Sequence, residues 1–237
     1  ANPLRARLFA QASGTLAKTD AIDAAMLARM AERLGPDPVA PPTPAQEELQ
    51  ELASARQAAI AERTALGNRL AAATSAFLRR ELATRLRTLE RHIARLDSTI
   101  ETMIRADHEL DRKARILRSI PGVGPVTSLA FLAPLGELGR ITAKQAAALA
   151  GLAPFARDSG TSQPKRRIHG GRAQLRCALY MAALSASRRN ADLKRFYQGL
   201  IERGKPAKLA LAAVARKIVV LANTLITENR HWTNVTP

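Results

Sequence analysis

The segment Asp158-Ser159-Gly160-Thr161-Ser162 sets a serine among cations, with Arg157, Lys165, Arg166, Arg167, Arg172 and Arg176 close by in the chain. A serine hydroxyl can attack a phosphodiester when it is exposed, when a turn lets the substrate approach, and when cations stabilise the charge of the pentavalent transition state. Ser159 meets the sequence half of that requirement, with Gly160 directly after it. Serine in such a segment also serves as a turn or capping residue, so residue types alone leave both roles open. A second group lies near the N-terminus, where Asp20 and Asp23 are three residues apart at a helix start. Both carboxylates can then lie on one face and reach a shared divalent cation, as two-metal phosphoryl transfer requires. Alternatively they are acidic residues placed favourably against the helix dipole.

A third group is the run Leu117-Arg118-Ser119-Ile120-Pro121-Gly122-Val123-Gly124-Pro125-Val126, between two apolar helical patterns. It reads as a helix-hairpin-helix. Gly122 and Gly124 can take positive φ at little cost and leave N–H groups uncovered, Val123 packs the turn, and the second helix presents its N-terminus to a phosphate. An ordinary Pro-Gly turn is the plainer alternative. Charge favours the phosphate: 37 Lys and Arg against 20 Asp and Glu give a net +17, so a polyanion is the expected partner. A membrane is the competing polyanion. No uninterrupted run approaches 18 apolar residues and aromatics are 3% of the chain, so a soluble, cytoplasmic protein without a membrane partner is expected. The single cysteine, Cys177, permits no internal disulfide and is expected to be buried beside Leu175, Leu179 and Met181.

The elements that must position these groups are mainly α-helical. A helix is predicted from Thr19, its N-cap, to Leu34, with Gly35 as the stop. Residues 36–44 form a Pro-rich linker. From Ala45 to about Arg112 the pattern is helical throughout. Leu82, Leu86, Leu89, Ile93, Leu96, Ile100 and Met103 form a heptad seam, while an upstream seam through Leu66, Leu70, Ala73 and Phe77 falls out of phase near Arg79. The seam needs a partner, either the upstream arm folding back or a second subunit. Arg79, Arg80, Arg85, Arg87, Arg91 and Arg95 flank it as a solvated face or as a contact for nucleic acid. Downstream, Thr142 caps a helix over 143–150 and Gly151 ends it. Residues 154–171 lack helical periodicity, and three helices follow over about 172–188, 191–203 and 207–229.

Five blocks in order, taken together, resemble a known family. They are Asn2, Pro3, Arg7, Phe9 and Ala10 with Gly14; the block from Lys18 to Ala24; the Ile120 to Pro125 hairpin; the stretch from Ala150 to Ser162; and the helix from Leu175 to Ala183. These resemble the DEDD transposases of bacterial insertion sequences, family 110. The resemblance implies a RuvC-like (RNase H-type) remnant over 1–35, a linker over 36–44, coiled-coil helices over 45–112, and a helix-hairpin-helix with a helical transposase domain over 113–237. It implies Ser159 as a nucleophile that forms a covalent protein-DNA intermediate, Asp20 and Asp23 as ligands of Mg²⁺, and a structured guide RNA whose pairing supplies specificity. Gly122, Gly124, Arg157, Lys165, Arg166, Arg167, Arg172 and Arg176 are the expected nucleic-acid contacts. A homo-oligomer through the coiled coil is also expected, from the heptad seam.

In that family the first Asp and the Glu of the acidic set lie upstream of Asn2, so the chain is expected to be a fragment with an incomplete metal site. The stretch from Asn2 to Gln11 is then either a surviving strand of the RuvC-like sheet or unanchored. Three function classes follow: a transposase or recombinase, a non-catalytic nucleic-acid-binding fragment of one, and a structural oligomerisation protein. Other chemistries find little support. His92, His108, His169 and His231 are scattered, and no HExxH, paired CxxC or GxxxxGK[ST] pattern occurs.

Overall fold

The computed structural model describes residues 3–14, 19–35, 41–155, 167–168 and 170–233. Among them are ten helices and one two-residue antiparallel strand pair, a mainly α architecture. Contacts divide the chain into two compact units, residues 1–41 and 42–237.

In the first unit, α1 (Pro3–Ala12) packs against α2 (Asp20–Leu34). A strand over the opening residues is therefore corrected. The segment PLRARLFAQA has no β-branched residue, its Leu, Arg and Ala favour helix, and Pro3 suits a first helical position. The start of α2 is as expected: the Thr19 hydroxyl accepts from the Ile22 N–H at 3.3 Å. Gly35 ends it at φ +47°, where its N–H bonds to the Ala31 carbonyl at 3.0 Å. One turn apart, Met26 and Met30 are its buried residues.

The second unit begins with α3 (Pro44–Ala72) and α4 (Ala76–Ala106), which pack along one another as an antiparallel hairpin. Ala59 and Leu66 of α3 meet Leu89 and Ile93 of α4, and Arg56 pairs with Asp97 across the hairpin. The partner of the heptad seam is thus the upstream arm. The break falls at residues 73–75, where Ser75 caps α4, and not near Arg79. Phe77 lies past that break and is 67% exposed, so it leaves the seam.

A second break separates α4 from α5 (His108–Ser119). Asp107 turns the chain there by accepting from the N–H groups of Glu109 and Leu110, so the helix expected to run to Arg112 ends earlier. Then come α6 (Pro125–Leu132), α7 (Ala143–Leu149), strands β1 (Pro154–Phe155) and β2 (Arg167–Ile168), α8 (Ala173–Arg189), α9 (Ala191–Glu202) and α10 (Ala207–Thr227).

The last helix organises this unit. Ala210, Leu211, Val214, Ala215, Ile218, Val219, Ala222, Leu225 and Ile226 recur on one broad face and are buried against α5, α7, α8 and α9. Each such Leu or Ile contributes about 1.5–3 kcal/mol by leaving water. By length and composition α10 could cross a membrane, but this burial and the intervening Arg216 and Lys217 make it a core helix.

Candidate functional site

Where the sequence suggests a helix-hairpin-helix, two helices, α5 and α6, are joined by a tight turn. Val123 N–H bonds to the Ile120 carbonyl at 2.9 Å, and both side chains are buried. Gly122 takes φ +100°, and a Cβ there would lie 2.8 Å from the Ala186 Cβ of α8. Its missing side chain therefore lets the turn press on α8. Gly124 differs from expectation: its φ is −95°, in extended backbone that any residue adopts. It is exposed, with open space where a side chain would be, and it heads α6 without a side-chain cap. Pro125 has no N–H and the Ser128 N–H bonds to the Gly124 carbonyl at 2.9 Å, so the N–H groups left at this helix start are those of Val126, which is exposed, and Thr127, which is buried.

Side chains beyond the turn's own sequence fix its orientation. Arg118 forks onto the Glu101 carboxylate of α4 at 2.8 and 2.6 Å, and its Nε donates to the Ser128 hydroxyl at 3.1 Å. One guanidinium thus ties α4, α5 and α6 together. It holds the Glu101 carboxyl below the usual carboxylate range, chiefly through that hydrogen bond. The Ser119 hydroxyl accepts from the Trp232 N–H at 2.8 Å, and Gln46 of α3 donates to the last carbonyls of α6, of Leu132 and Ala133, at 2.8 Å each.

Residues 156–166, with Arg157, Ser159, Lys165 and Arg166, lie outside the described residues, as do the Arg167 side chain and His169. The structure does describe where this segment leaves and re-enters the helical unit. Thr142 caps α7 through a reciprocal pair with Gln145, and Gly151 follows at φ +67°. β1 and β2 then pair antiparallel, Pro154 opposite Ile168 and Phe155 opposite Arg167. Just after β2, Gly171 (φ +63°) packs on Gly151. A Cβ on Gly171 would collide with the Gly151 nitrogen and sit 2.5 Å from its Cα and 2.7 Å from the Leu149 carbonyl oxygen.

The two predicted phosphate ligands nearest this junction bond to the protein itself. Arg172 N–H donates to the Leu149 carbonyl at 2.8 Å and its guanidinium pairs with Glu137 at 2.8 Å, while Arg176 Nη1 donates to the Gly170 carbonyl at 2.6 Å. Nearby, Asn223 of α10 accepts from Gly139 N–H at 2.9 Å and donates to the Ile141 carbonyl at 2.7 Å, which fixes the approach to α7.

A groove of about 580 Å³ separates the hairpin from the start of α8. It is lined by Ile60 of α3, Val126 and Ala130 of α6, and Gln174, Cys177 and Met181 of α8. This corrects the expected burial of Cys177. Leu175, Leu179, Ala182 and Ala186 take the inner face of α8, and Cys177 falls on the outer face with Met181, itself 61% exposed.

In the first unit, Asp20 is exposed and Asp23 half-buried in the first turn of α2. Among the described residues no third Asp, Glu, His or Cys joins them in a metal-sized group. The positive end of the helix dipole suits two carboxylates and opposes a cation, so this pair alone does not fit a catalytic ion.

Glu101, Ser128, Glu137 and Ala186 carry much of this geometry, and sequence reasoning did not find them. They stand 17, 10, 35 and 64 positions from Arg118, Arg118, Arg172 and Gly122, and nothing periodic links them.

Two family models match the chain, one described as "Transposase IS116/IS110/IS902 family" over residues 114–198 and one described as "Transposase", of the DEDD type, over residues 1–78. Similarity extends to the pilin gene-inverting protein of Moraxella bovis, 31% identical over 237 residues that span 97% of this chain and 72% of that protein. A probable family 20 transposase of Pseudomonas aeruginosa is 34% identical over 59% of this chain and 42% of its own length. The IS116 44.8 kDa protein of Streptomyces clavuligerus is 33% identical over 66% and 39%.

Proposed function

This chain belongs to the IS116/IS110/IS902 family of insertion-sequence transposases, and on that premise we propose that it exchanges DNA strands through a covalent bond to Ser159. Transposases act on DNA, which suits a net charge of +17. One relative is named for inverting a gene. Inversion requires each cut strand to be rejoined to a new partner, and a protein-DNA ester conserves the phosphodiester for that rejoining.

In the proposed step, the Ser159 oxygen attacks phosphorus, the bond from phosphorus to one sugar oxygen breaks, and the proton given up by serine ends on that leaving oxygen. The hydroxyl of the incoming strand then attacks the phosphoserine, and serine recovers its proton. Bond count is unchanged, so no ATP is needed. Arg157, Lys165, Arg166 and Arg167 supply cations for the pentavalent charge, and loss of one well-placed donor costs about 10²–10³ in rate.

The observation that carries this reading is the junction of Gly151, Gly171 and the β1–β2 pair, which returns the serine-bearing segment to the point it left. Arg172 and Arg176 serve it by holding that junction. The exposed start of α6, with Gly124, takes a backbone phosphate as in a helix-hairpin-helix, and Gly122 seats the turn on α8.

The DEDD family suggests a divalent cation. Asp20 and Asp23 are proposed as two of its ligands, completed by carboxylates from outside the described residues, and Mg²⁺ is the hard cation such oxygens select. A guide RNA that pairs with both DNAs, and a homo-oligomer that brings two DNA sites together, complete the proposal.

Strand exchange between an element end and its target tests it. Ser159→Ala should abolish joined product and keep DNA affinity within about twofold, whereas unchanged exchange would remove Ser159 from the chemistry. Binding without exchange in the wild-type chain would point instead to a nucleic-acid-binding module.

A further inference from the structure

The outer face of α4 carries a device that the strand-exchange chemistry does not use. Arg80, Arg87, Arg91 and Arg95 fall within about 80° of arc at 3.6 residues per turn, on the side of α4 opposite Leu82, Leu89, Ile93 and Ile100. All four are exposed, and none forms an ion pair among the described residues, although Arg56, Arg105, Arg112, Arg115 and Arg118 all do.

The row is also organised. Arg87 Nη2 donates to the Thr84 hydroxyl at 3.2 Å, and Thr84 donates to the Arg80 carbonyl at 3.0 Å. Four residues on the unit repeats: Arg91 Nη2 donates to Thr88 at 3.2 Å, and Thr88 donates to the Thr84 carbonyl at 3.2 Å. Each guanidinium uses one N–H to hold its direction and keeps four for a ligand. Holding two long side chains in place lowers the ordering cost of binding. Of the four acids of α4, Glu90 alone shares a concavity with the row, beside Arg87 and Arg91. Asp97 and Glu101 are engaged by Arg56 and Arg118, while Glu81 and Glu90 lie on the flanks.

We propose that the Arg80, Arg87, Arg91 and Arg95 face of α4 binds the phosphate backbone of duplex DNA without reading its sequence. Successive members at 87, 91 and 95 are about 6 Å apart along a straight helix, and the row spans about 22 Å, within one turn of duplex. Arginine is the side chain suited to bidentate phosphate contact. Duplex DNA is the partner this face is assigned because transposases act on DNA, and the RNA duplex in the test below separates the two polyanions. The inference rests on the DNA-acting reading above, but not on Ser159.

The test is the salt dependence of binding to a 30-base-pair duplex of random sequence, with an RNA duplex of the same sequence in parallel. The triple variant Arg87→Gln, Arg91→Gln, Arg95→Gln alters solvent-facing positions only, and circular dichroism checks its fold. Three lost phosphate contacts should lower the slope of log Kobs against log salt by about 2.7, a weakening on the order of several hundredfold at 0.1 M salt. The corresponding triple Lys variant should retain most of the slope. An unchanged DNA slope overturns the proposal. So does a loss confined to RNA, or an altered oligomeric state with DNA affinity intact, which would make this face an interface between copies. A lost slope with strand exchange absent in the wild type would leave the surface standing and remove the chemistry.

Discussion

Replacing Gly171 by alanine should loosen the junction from which the serine-bearing segment departs. Two costs add. At φ +63° an alanine pays about 1–2 kcal/mol for the left-handed backbone. Its Cβ would also strike the Gly151 nitrogen and lie 2.5 Å from Gly151 Cα and 2.7 Å from the Leu149 oxygen, all rigid backbone, and overpacking of that kind costs about 1–3 kcal/mol. Gly170 is the control: its φ is +68°, yet nothing lies within 4 Å of a Cβ built there. Gly170→Ala should therefore show the backbone term alone, and Gly171→Ala about 2–5 kcal/mol in all. Denaturant unfolding measures global loss. Amide exchange at Arg172, whose N–H bonds to Leu149, measures local opening if strain is relieved there instead. Strand exchange should fall in Gly171→Ala and persist in Gly170→Ala. Equal stability and exchange protection in the two variants would refute the close-contact account.

Arg118→Ala should cost about 1–2 kcal/mol, because it leaves the half-buried Glu101 carboxylate with the exposed Arg105 alone and removes the donor to the Ser128 hydroxyl; urea unfolding measures it. Acid sensitivity follows from Glu109, which Arg112 and Lys113 hold down to about 2. A depressed carboxyl pKa stabilises the fold above the unfolded value and loses that contribution as pH falls towards about 2. Stability should therefore decline between pH 4.5 and 2, less steeply in Glu109→Gln, and only modestly because the pair is half-exposed. Asn223→Ala leaves Gly139 N–H and the Ile141 carbonyl without their shared partner, so a loss of about 2–3 kcal/mol is expected by thermal unfolding. Leu89→Lys should destabilise the α3–α4 hairpin within a single chain, seen as lost helicity on heating whether or not copies associate. Cys177 should react with a thiol reagent without denaturant; a protected thiol would contradict the placement of α8.

Local signals in the sequence were legible wherever one residue decides a boundary. Thr19, Gly35, Thr142 and Gly151 each mark a helix end by capping chemistry or left-handed backbone, and the structure places them so. Longer-range outcomes were less legible. The heptad seam could not say which helix covers it, because a fold-back arm and a second subunit present the same leucines. The break at residues 73–75 was hidden by an alanine-rich stretch that suits helix on both sides. Cys177 was misjudged because Leu175 and Leu179 define a face that a residue two positions on cannot share at 3.6 residues per turn. Of the two alternatives for the opening residues, a surviving strand or an unanchored segment, the strand came from resemblance and lost to a composition without β-branched side chains. Around the site, Gly122 and Gly171 carried a readable demand for special backbone, but their partners Ala186 and Gly151 belong to distant segments and emerged only from packing.

The central claim is most directly tested by trapping the protein on nicked element-end DNA with the element's RNA and Mg²⁺, then digesting the adduct and locating the modified residue by mass spectrometry. A nucleotide ester on Ser159, absent in Ser159→Ala, is the predicted result. An adduct on another side chain, or one that persists in Ser159→Ala, would contradict it.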